Sequence, residues 1–124
     1  MKTYPSLGEM ETRFAEMIWS LAPVSSSDLV KKAKEELGWA RTTTHTVIRK
    51  LCEKGLFERG NDGVVRIVVA RDEYFSGRGR EFVNTAYDGS LPLFVAGFVK
   101  RQKISEKDID AIIRLLKNAD TGEH

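Results

Sequence analysis

Apolar residues recur at intervals of three and four in the first half of the chain, and this spacing predicts three amphipathic helices. The first stripe consists of Met10, Phe14, Met17, Ile18 and Leu21. The second consists of Leu29, Val30, Ala33 and Leu37. The third helix is predicted over Thr42–Lys54, and its buried side consists of Thr44, Val47, Ile48 and Leu51.

Capping residues mark the ends of the second helix. Ser25 is a favourable N-cap, and Asp28 follows three residues later in an arrangement like a capping box. Gly38 supplies the C-terminal stop, after which only Trp39–Arg41 separates the second helix from the third. Two helices joined by so short a connection predict a helix-turn-helix.

A β-hairpin is predicted directly after the third helix, which Gly55 ends. Residues 56–59 and 64–69 are rich in β-forming side chains, and the turn sequence Gly60-Asn61-Asp62-Gly63 lies between them. A hairpin in this position is the wing of a winged helix. Residues 1–71 are therefore predicted to form a winged helix-turn-helix domain.

The remaining residues, 72–124, are predicted to form a helical dimerisation domain, and residues 121–124 a frayed tail. Residues 72–87 and 91–103 favour helices, and Ser105 with Asp108 caps a last one. Three short helices cannot bury all their large apolar side chains alone. Packing against a second copy of the chain is the simplest way to bury them. The expected interface residues are Phe94, Phe98, Ile109, Ile112, Ile113 and Leu116. The predicted fold class is mainly α with a small β-hairpin.

Charge is concentrated around the third helix. The chain of 124 residues carries a formal charge of +2, whereas residues 38–66 hold six Lys or Arg against three Asp or Glu. The single cysteine, Cys52, excludes an internal disulfide and favours a reducing compartment. No stretch is long and apolar enough for a membrane span, so a cytoplasmic protein without membrane insertion is expected.

The outer face of the third helix carries hydroxyls and cations. Such a face is typical of a helix that enters the major groove of DNA, where hydroxyls contact phosphates or base edges and Arg pairs with guanine. Basic wing residues also contact phosphates or the minor groove. The residues predicted to bind double-stranded DNA are Arg41, Thr42, Thr43, His45, Thr46, Arg49, Lys50, Arg59 and Arg66. Two alternatives are a plain solvated face and a winged-helix module that binds protein without sequence-specific DNA binding.

A metal or catalytic site is not expected. His45 and Cys52 lie seven residues apart on one helix, but two ligands are too few for a structural metal site. No carboxylate pair suggests acid–base chemistry. We therefore expect no cofactor, no metal, no catalytic residue and no enzymatic activity.

In its order of motifs the chain resembles the penicillinase and methicillin-resistance repressor family, which also includes copper-responsive repressors. The matching elements in the winged helix are Leu7-x-x-x-Glu11, Ile18-Trp19, Val24-Ser25, Asp28-Leu29, Trp39-x-x-x-Thr43-x-x-Thr46-Val47-Ile48-x-x-Leu51, Lys54-Gly55 and Gly63-x-Val65. Those beyond the wing are Gly89-Ser90-Leu91, Phe98 and Ile104-Ser105-Glu106. The resemblance spans about residues 7 to 118.

The resemblance implies a homodimeric winged-helix repressor that binds a palindromic operator. Thr43 and Thr46 match the family's threonines in the recognition helix, and His45 stands where a basic residue is usual. It also implies a regulatory protease as partner, since β-lactam-responsive members are cleaved at an Asn–Phe bond. The aligned pair here is Gly97-Phe98, which departs from that pattern. The chain also lacks the paired C-terminal cysteines of copper-responsive members, and Val64 stands where the family's wing often has a basic residue.

Overall fold

The computed structural model describes residues 2–119, and within them the chain forms six α-helices and three short strands. The first helix and strand are α1 (Glu9–Leu21) and β1 (Val24–Ser25), followed by the helix pair α2 (Ser26–Leu37) and α3 (Arg41–Glu53). The wing strands are β2 (Phe57–Arg59) and β3 (Val64–Ile67), and the last helices are α4 (Arg71–Ala86), α5 (Leu91–Arg101) and α6 (Glu106–Lys117). The predicted fold class is confirmed. The predicted tail, residues 121–124, lies outside the described residues.

Capping interactions mark the starts and ends of helices at the positions that the sequence predicts. The Ser25 hydroxyl accepts from the Asp28 N–H at 3.0 Å, and the Ser105 hydroxyl accepts from the Asp108 N–H at 3.1 Å. Gly38 terminates α2 in the left-handed conformation, with φ of 69°. Short-range hydrogen bonds of this kind depend on neighbouring residues alone, which explains why the helix bounds follow from the sequence.

The sheet has one more strand than the predicted hairpin. Its order is β1-β3-β2, and both pairings are antiparallel. β1 pairs Val24 with Val65, so two residues between α1 and α2 join the edge of the wing. β3 also ends two residues earlier than the predicted run 64–69, because the N–H groups of Val68 and Val69 both donate to the carbonyl of Leu56. A two-residue strand is too short for an alternating pattern, which is why β1 was not predicted.

The apolar faces of the first three helices and the sheet enclose one core. Its fully buried large side chains are Phe14, Ile18, Leu29, Ile48, Leu51, Leu56, Phe57 and Val65. Trp19 closes one side, and its indole N–H donates to the Val69 carbonyl at 2.9 Å. α3 is therefore held through its buried side, which leaves its other side exposed.

The chain divides into two compact units, with the division after Glu81, inside α4. In the first unit Tyr74 is buried, and its hydroxyl donates to the Pro5 carbonyl at 2.6 Å. Gly77 lies against the Tyr4 ring, with no room for a side chain between them. The first turns of α4 thus pack with the winged helix. The functional division into residues 1–71 and 72–124 stays a prediction, since compactness alone does not assign function.

The second unit, described from Phe82 to Ala119, has no buried residue in α5 or α6. Aromatic rings pack together within it: Phe94 lies edge-on to Phe82 and to Tyr87, with ring centroids 6.3 and 5.5 Å apart. Asp88 and Gly89, both with positive φ, turn the chain into α5, which the Ser90 hydroxyl caps. Across residues 2–119, no helix is long and apolar enough to cross a membrane.

Candidate nucleic-acid interface

α3 has one side in the core and the other at the surface. Thr44, Ile48 and Leu51 are fully buried, and the Thr44 hydroxyl donates to the Ala40 carbonyl one turn earlier at 3.4 Å. The seven predicted binding residues of α3 lie away from that side: Arg41, Thr42, Thr43, Arg49 and Lys50 are exposed, and His45 and Thr46 are partly buried. The fold therefore brings these seven side chains to one hydroxyl-bearing and cationic surface.

The N-terminus of α3 carries no negative charge and no side-chain cap. Its N-cap residue, Ala40, supplies no acceptor, and the first turn contains no acidic residue. Among the helices of residues 2–119, every other one has an acidic first turn or a capping serine. The first N–H groups of a helix and its positive dipole end attract anions, and Arg41 adds a full charge there. This end of α3 suits a phosphate.

The tip of the wing is held by Asp62. Its carboxylate accepts from the Val64 N–H at 3.0 Å and pairs with the Arg66 guanidinium at 2.9 Å. The hydrogen bond from Arg66, followed by that from the Val64 N–H, lowers the pKa of Asp62, so the pair is charged at neutral pH. A Cβ at Gly60 would lie 2.8 Å from Asp62 Oδ1, so a side chain there would displace this carboxylate. Arg66, a predicted DNA contact, is thus paired within the wing.

Ser26 tethers the wing to the start of α2, a role that the sequence analysis missed. The Gly63 carbonyl accepts from the Ser26 hydroxyl at 2.6 Å and from the Ser26 N–H at 2.8 Å. Ser26 is buried. In the sequence it stands in a run of three serines, and nothing distinguishes the one that meets the wing.

Arg59 connects the wing to α3. Its guanidinium Nη1 lies 3.1 Å from Nδ1 of His45. Partial burial lowers the pKa of His45, and the charges of Arg41 and Arg59 lower it further. His45 is therefore neutral at pH 7, although it stands where the resemblance led us to expect a basic residue.

Not every cation near α3 belongs to this surface. Lys54 donates to both carboxylate oxygens of Glu11 at 3.0 Å and to the Ser6 carbonyl at 3.2 Å, so it joins the end of α3 to α1. Arg49, by contrast, has only a long 3.8 Å pairing with Glu53, and both side chains are mostly exposed. Exposed pairs of this kind stabilise a fold little, so the Arg49 guanidinium is held only weakly.

The residues 2–119 hold no cluster of side chains suited to a metal ion. The Cys52 thiol is partly buried against the core, and this burial raises its pKa, so the thiol is protonated at neutral pH. A protonated, half-buried thiol is a packing group rather than a nucleophile.

The six predicted interface residues lie in the second unit. Phe94 is half-buried, and the other five have exposed fractions between 42% and 58%. The pair Gly97–Phe98 lies inside α5, where Gly97 is close to the Tyr87 ring. Leu115, which was not among the six, is the most exposed large apolar side chain described, at 71%.

A helix-turn-helix followed by a two-stranded wing, with β1 paired to the wing, defines the class of winged-helix proteins, here extended by further helices. Comparison with known proteins identifies the family within that class. The family model for penicillinase repressors matches residues 7–118, so the chain belongs to the penicillinase repressor family, whose members are DNA-binding transcriptional repressors rather than enzymes. The family assignment from the sequence is confirmed.

Three relatives show how far the similarity extends. The penicillinase repressor of Bacillus licheniformis is 22% identical over 120 residues, which cover 94% of each chain. The methicillin resistance regulatory protein MecI of Staphylococcus aureus strain Mu50 is 24% identical over 118 residues, or 93% of this chain and 95% of that protein. MecI of Mammaliicoccus sciuri is 23% identical over the same length. The similarity thus includes both units.

Proposed function

We propose that this protein is a homodimeric transcriptional repressor that binds a palindromic operator in cytoplasmic DNA through α3 and the wing. The observation that carries the proposal is the exposed side of α3. It combines hydroxyls, two exposed arginines and a lysine with a helix N-terminus that lacks any acidic or capping side chain. Membership of a repressor family supports the same conclusion.

The proposed contacts divide into two kinds. Arg41, Thr42 and Thr43 stand at the start of α3, where backbone N–H groups and the helix dipole favour a phosphate. Thr46 and Arg49 lie further along the helix, where side chains reach base edges in the major groove. His45, Lys50 and the wing arginines complete the proposed surface.

Dimerisation is proposed because of the second unit's exposed apolar side chains. Five of the six predicted interface residues are at least 42% exposed, and large exposed apolar patches mark interfaces in soluble proteins. A twofold-symmetric dimer presents two recognition helices to half-sites about one helical turn apart, which is the geometry of a palindrome. We propose that Phe94, Phe98, Ile109, Ile112, Ile113 and Leu116 form this interface.

A winged helix that binds protein instead of DNA is the alternative. Interfaces between proteins are enriched in aromatic and aliphatic side chains, and the exposed residues of α3 include none. Salt dependence separates the two functions. If each chain of a dimer neutralises about three phosphates, the slope of log K against log salt is near −5. Retained affinity for a partner with a flat salt response would favour the protein-binding alternative.

The experiment that tests the proposal is selection of bound fragments from genomic DNA with the purified full-length chain. The expected result is an enriched motif with twofold symmetry. An enriched motif without symmetry would contradict the dimeric operator, and no enrichment at low salt would contradict DNA binding as a whole.

A further inference from the structure

The contact between Arg59 and His45 determines where the imidazole carries its proton. A guanidinium has donors only and keeps its charge at any pH relevant to proteins. Because Arg59 Nη1 lies 3.1 Å from His45 Nδ1, that nitrogen is the acceptor and carries no proton. A neutral imidazole that accepts at Nδ1 has its proton on Nε2.

The surroundings of the ring favour the same form. Within residues 2–119, the charged groups that act on His45 are Arg41 on its own helix and Arg59 on β2, and both are cations. Together with partial burial they lower the pKa of the ring. The doubly protonated imidazolium, which would offer two donors and repel Arg59, is therefore disfavoured at neutral pH.

We propose that Arg59 is a positioning residue, which acts on DNA through His45 by holding it as a neutral imidazole with a single donor at Nε2. This inference rests on the proposed function of α3. It differs from the sequence-based expectation for Arg59, in which the guanidinium itself binds a phosphate. The partner of the Nε2–H group is an acceptor on DNA, either a phosphate oxygen or an acceptor atom of a base edge.

The wing supplies a matched control for Arg59. Arg66 is also an exposed wing arginine, but its guanidinium pairs with Asp62. Removing either side chain takes one positive charge from the wing. Only removal of Arg59 changes the hydrogen bonding of His45, so the two substitutions separate charge from positioning.

The first test uses the full-length protein without DNA and measures the two ring nitrogens of His45 by ¹⁵N NMR. His124 is the other histidine in the sequence, and the variant His124→Asn assigns the signals. We expect an unprotonated Nδ1 and a protonated Nε2 in the wild type. Arg59→Ala should produce a mixture of tautomers and a raised His45 pKa, Arg59→Lys should partly restore the wild-type state, and Arg66→Ala should change neither. An unchanged His45 tautomer and pKa in Arg59→Ala would overturn the inference.

The second test is a double-mutant cycle on DNA affinity, with a duplex from the enriched fragments. If Arg59 acts through His45, Arg59→Ala and His45→Ala should each weaken binding about tenfold, and the double variant should be no weaker than His45→Ala alone. Arg59→Ala should also make affinity pH-dependent near neutrality, where the wild type is flat, because protonation and DNA binding become linked.

The outcomes of the second test separate this inference from the proposed function. Additive losses together with a pH profile like that of the wild type would show that Arg59 binds DNA independently, and would overturn the inference alone. If the wild type binds no duplex even at low salt, the proposed function fails as well. Losses from His45→Ala that are equal on all sequences indicate a phosphate partner, and losses confined to one motif position indicate a base edge.

Discussion

The two units of this protein use their apolar side chains in opposite ways. In the first unit Phe14 and Ile48 are fully buried, and the exposed side of α3 carries hydroxyls and cations. In the second unit Phe98 and Leu116 are 50% and 58% exposed, although α5 and α6 are well capped and regularly amphipathic. The first unit thus completes its core within one chain, whereas the second leaves large apolar side chains exposed, as the proposed dimer would need.

The amphipathic pattern of a helix does not by itself reveal what its apolar side contacts. α3 and α6 are both amphipathic helices of similar length. α3 has α1, α2 and β2 packed against it. Within residues 2–119, no side chain of α6 is buried, so the same pattern that forms a core in one unit forms a surface in the other.

The largest expected effect comes from breaking the proposed self-association. The double variant Ile113→Asn with Leu116→Asn should be monomeric in sedimentation at micromolar concentration, because it places two amides in the apolar surface. Operator affinity should fall about 10²- to 10⁴-fold, since the second half-site is no longer bound intramolecularly.

The matched control is Lys107→Asn with Arg114→Asn, which alters the polar face of the same helix. It should sediment like the wild type. A monomeric wild type at the same concentration would contradict both the interface and the symmetric operator.

A comparison of two isoleucines tests the contrast in burial directly. Ile48→Ala opens a cavity in a closed core and should lower the free energy of unfolding of the first unit by about 2–5 kcal/mol. Ile112→Ala removes the same atoms from a side chain that is 46% exposed, and in the monomeric background it should cost under about 0.5 kcal/mol. Urea denaturation of both variants measures the two values. Equal losses would mean that the second unit has a core of its own.

Within the first unit, Arg49→Ala should weaken operator binding without loss of stability. An arginine that reads a base contributes about 1–3 kcal/mol to binding. The matched control is Lys32→Ala on α2, since Lys32 also forms an exposed ion pair, with Glu36 at 3.0 Å. Fluorescence anisotropy with labelled operator should detect the loss for Arg49→Ala only. Equal affinity of both variants would remove Arg49 from the proposed contacts.

The smallest expected effects come from the two serine caps. Ser25→Ala and Ser105→Ala each remove one hydrogen bond to a helix N-terminus and should cost about 1 kcal/mol locally. Ser25→Ala should lower the global stability of the first unit, because α2 belongs to its core. Ser105→Ala should increase hydrogen exchange in α6 and weaken self-association, with the first unit unaffected. Increased exchange in α2 of the Ser105 variant would contradict the independence of the units.

Every helix of residues 2–119 could be predicted from the sequence to within a few residues, and so could the side of α3 that faces solvent. Helical periodicity, the serine caps and the stops at Gly38 and Gly55 depend on groups only a few residues apart. They can therefore be recognised in the sequence alone. The class and the family followed from the order of these local features. The predicted DNA and interface residues also came from this order, and they stay predictions.

Only the tertiary structure decided what each exposed group contacts. β1 joins β3, Ser26 holds Gly63 from 37 residues away, and Arg59 meets His45 across 14 residues. The same packing uses Lys54 for an ion pair with Glu11 and places the first turns of α4 in the first unit. Such contacts depend on how the packed elements lie relative to each other in space. The residues adjacent in sequence therefore do not indicate which side chain of another element will be in contact.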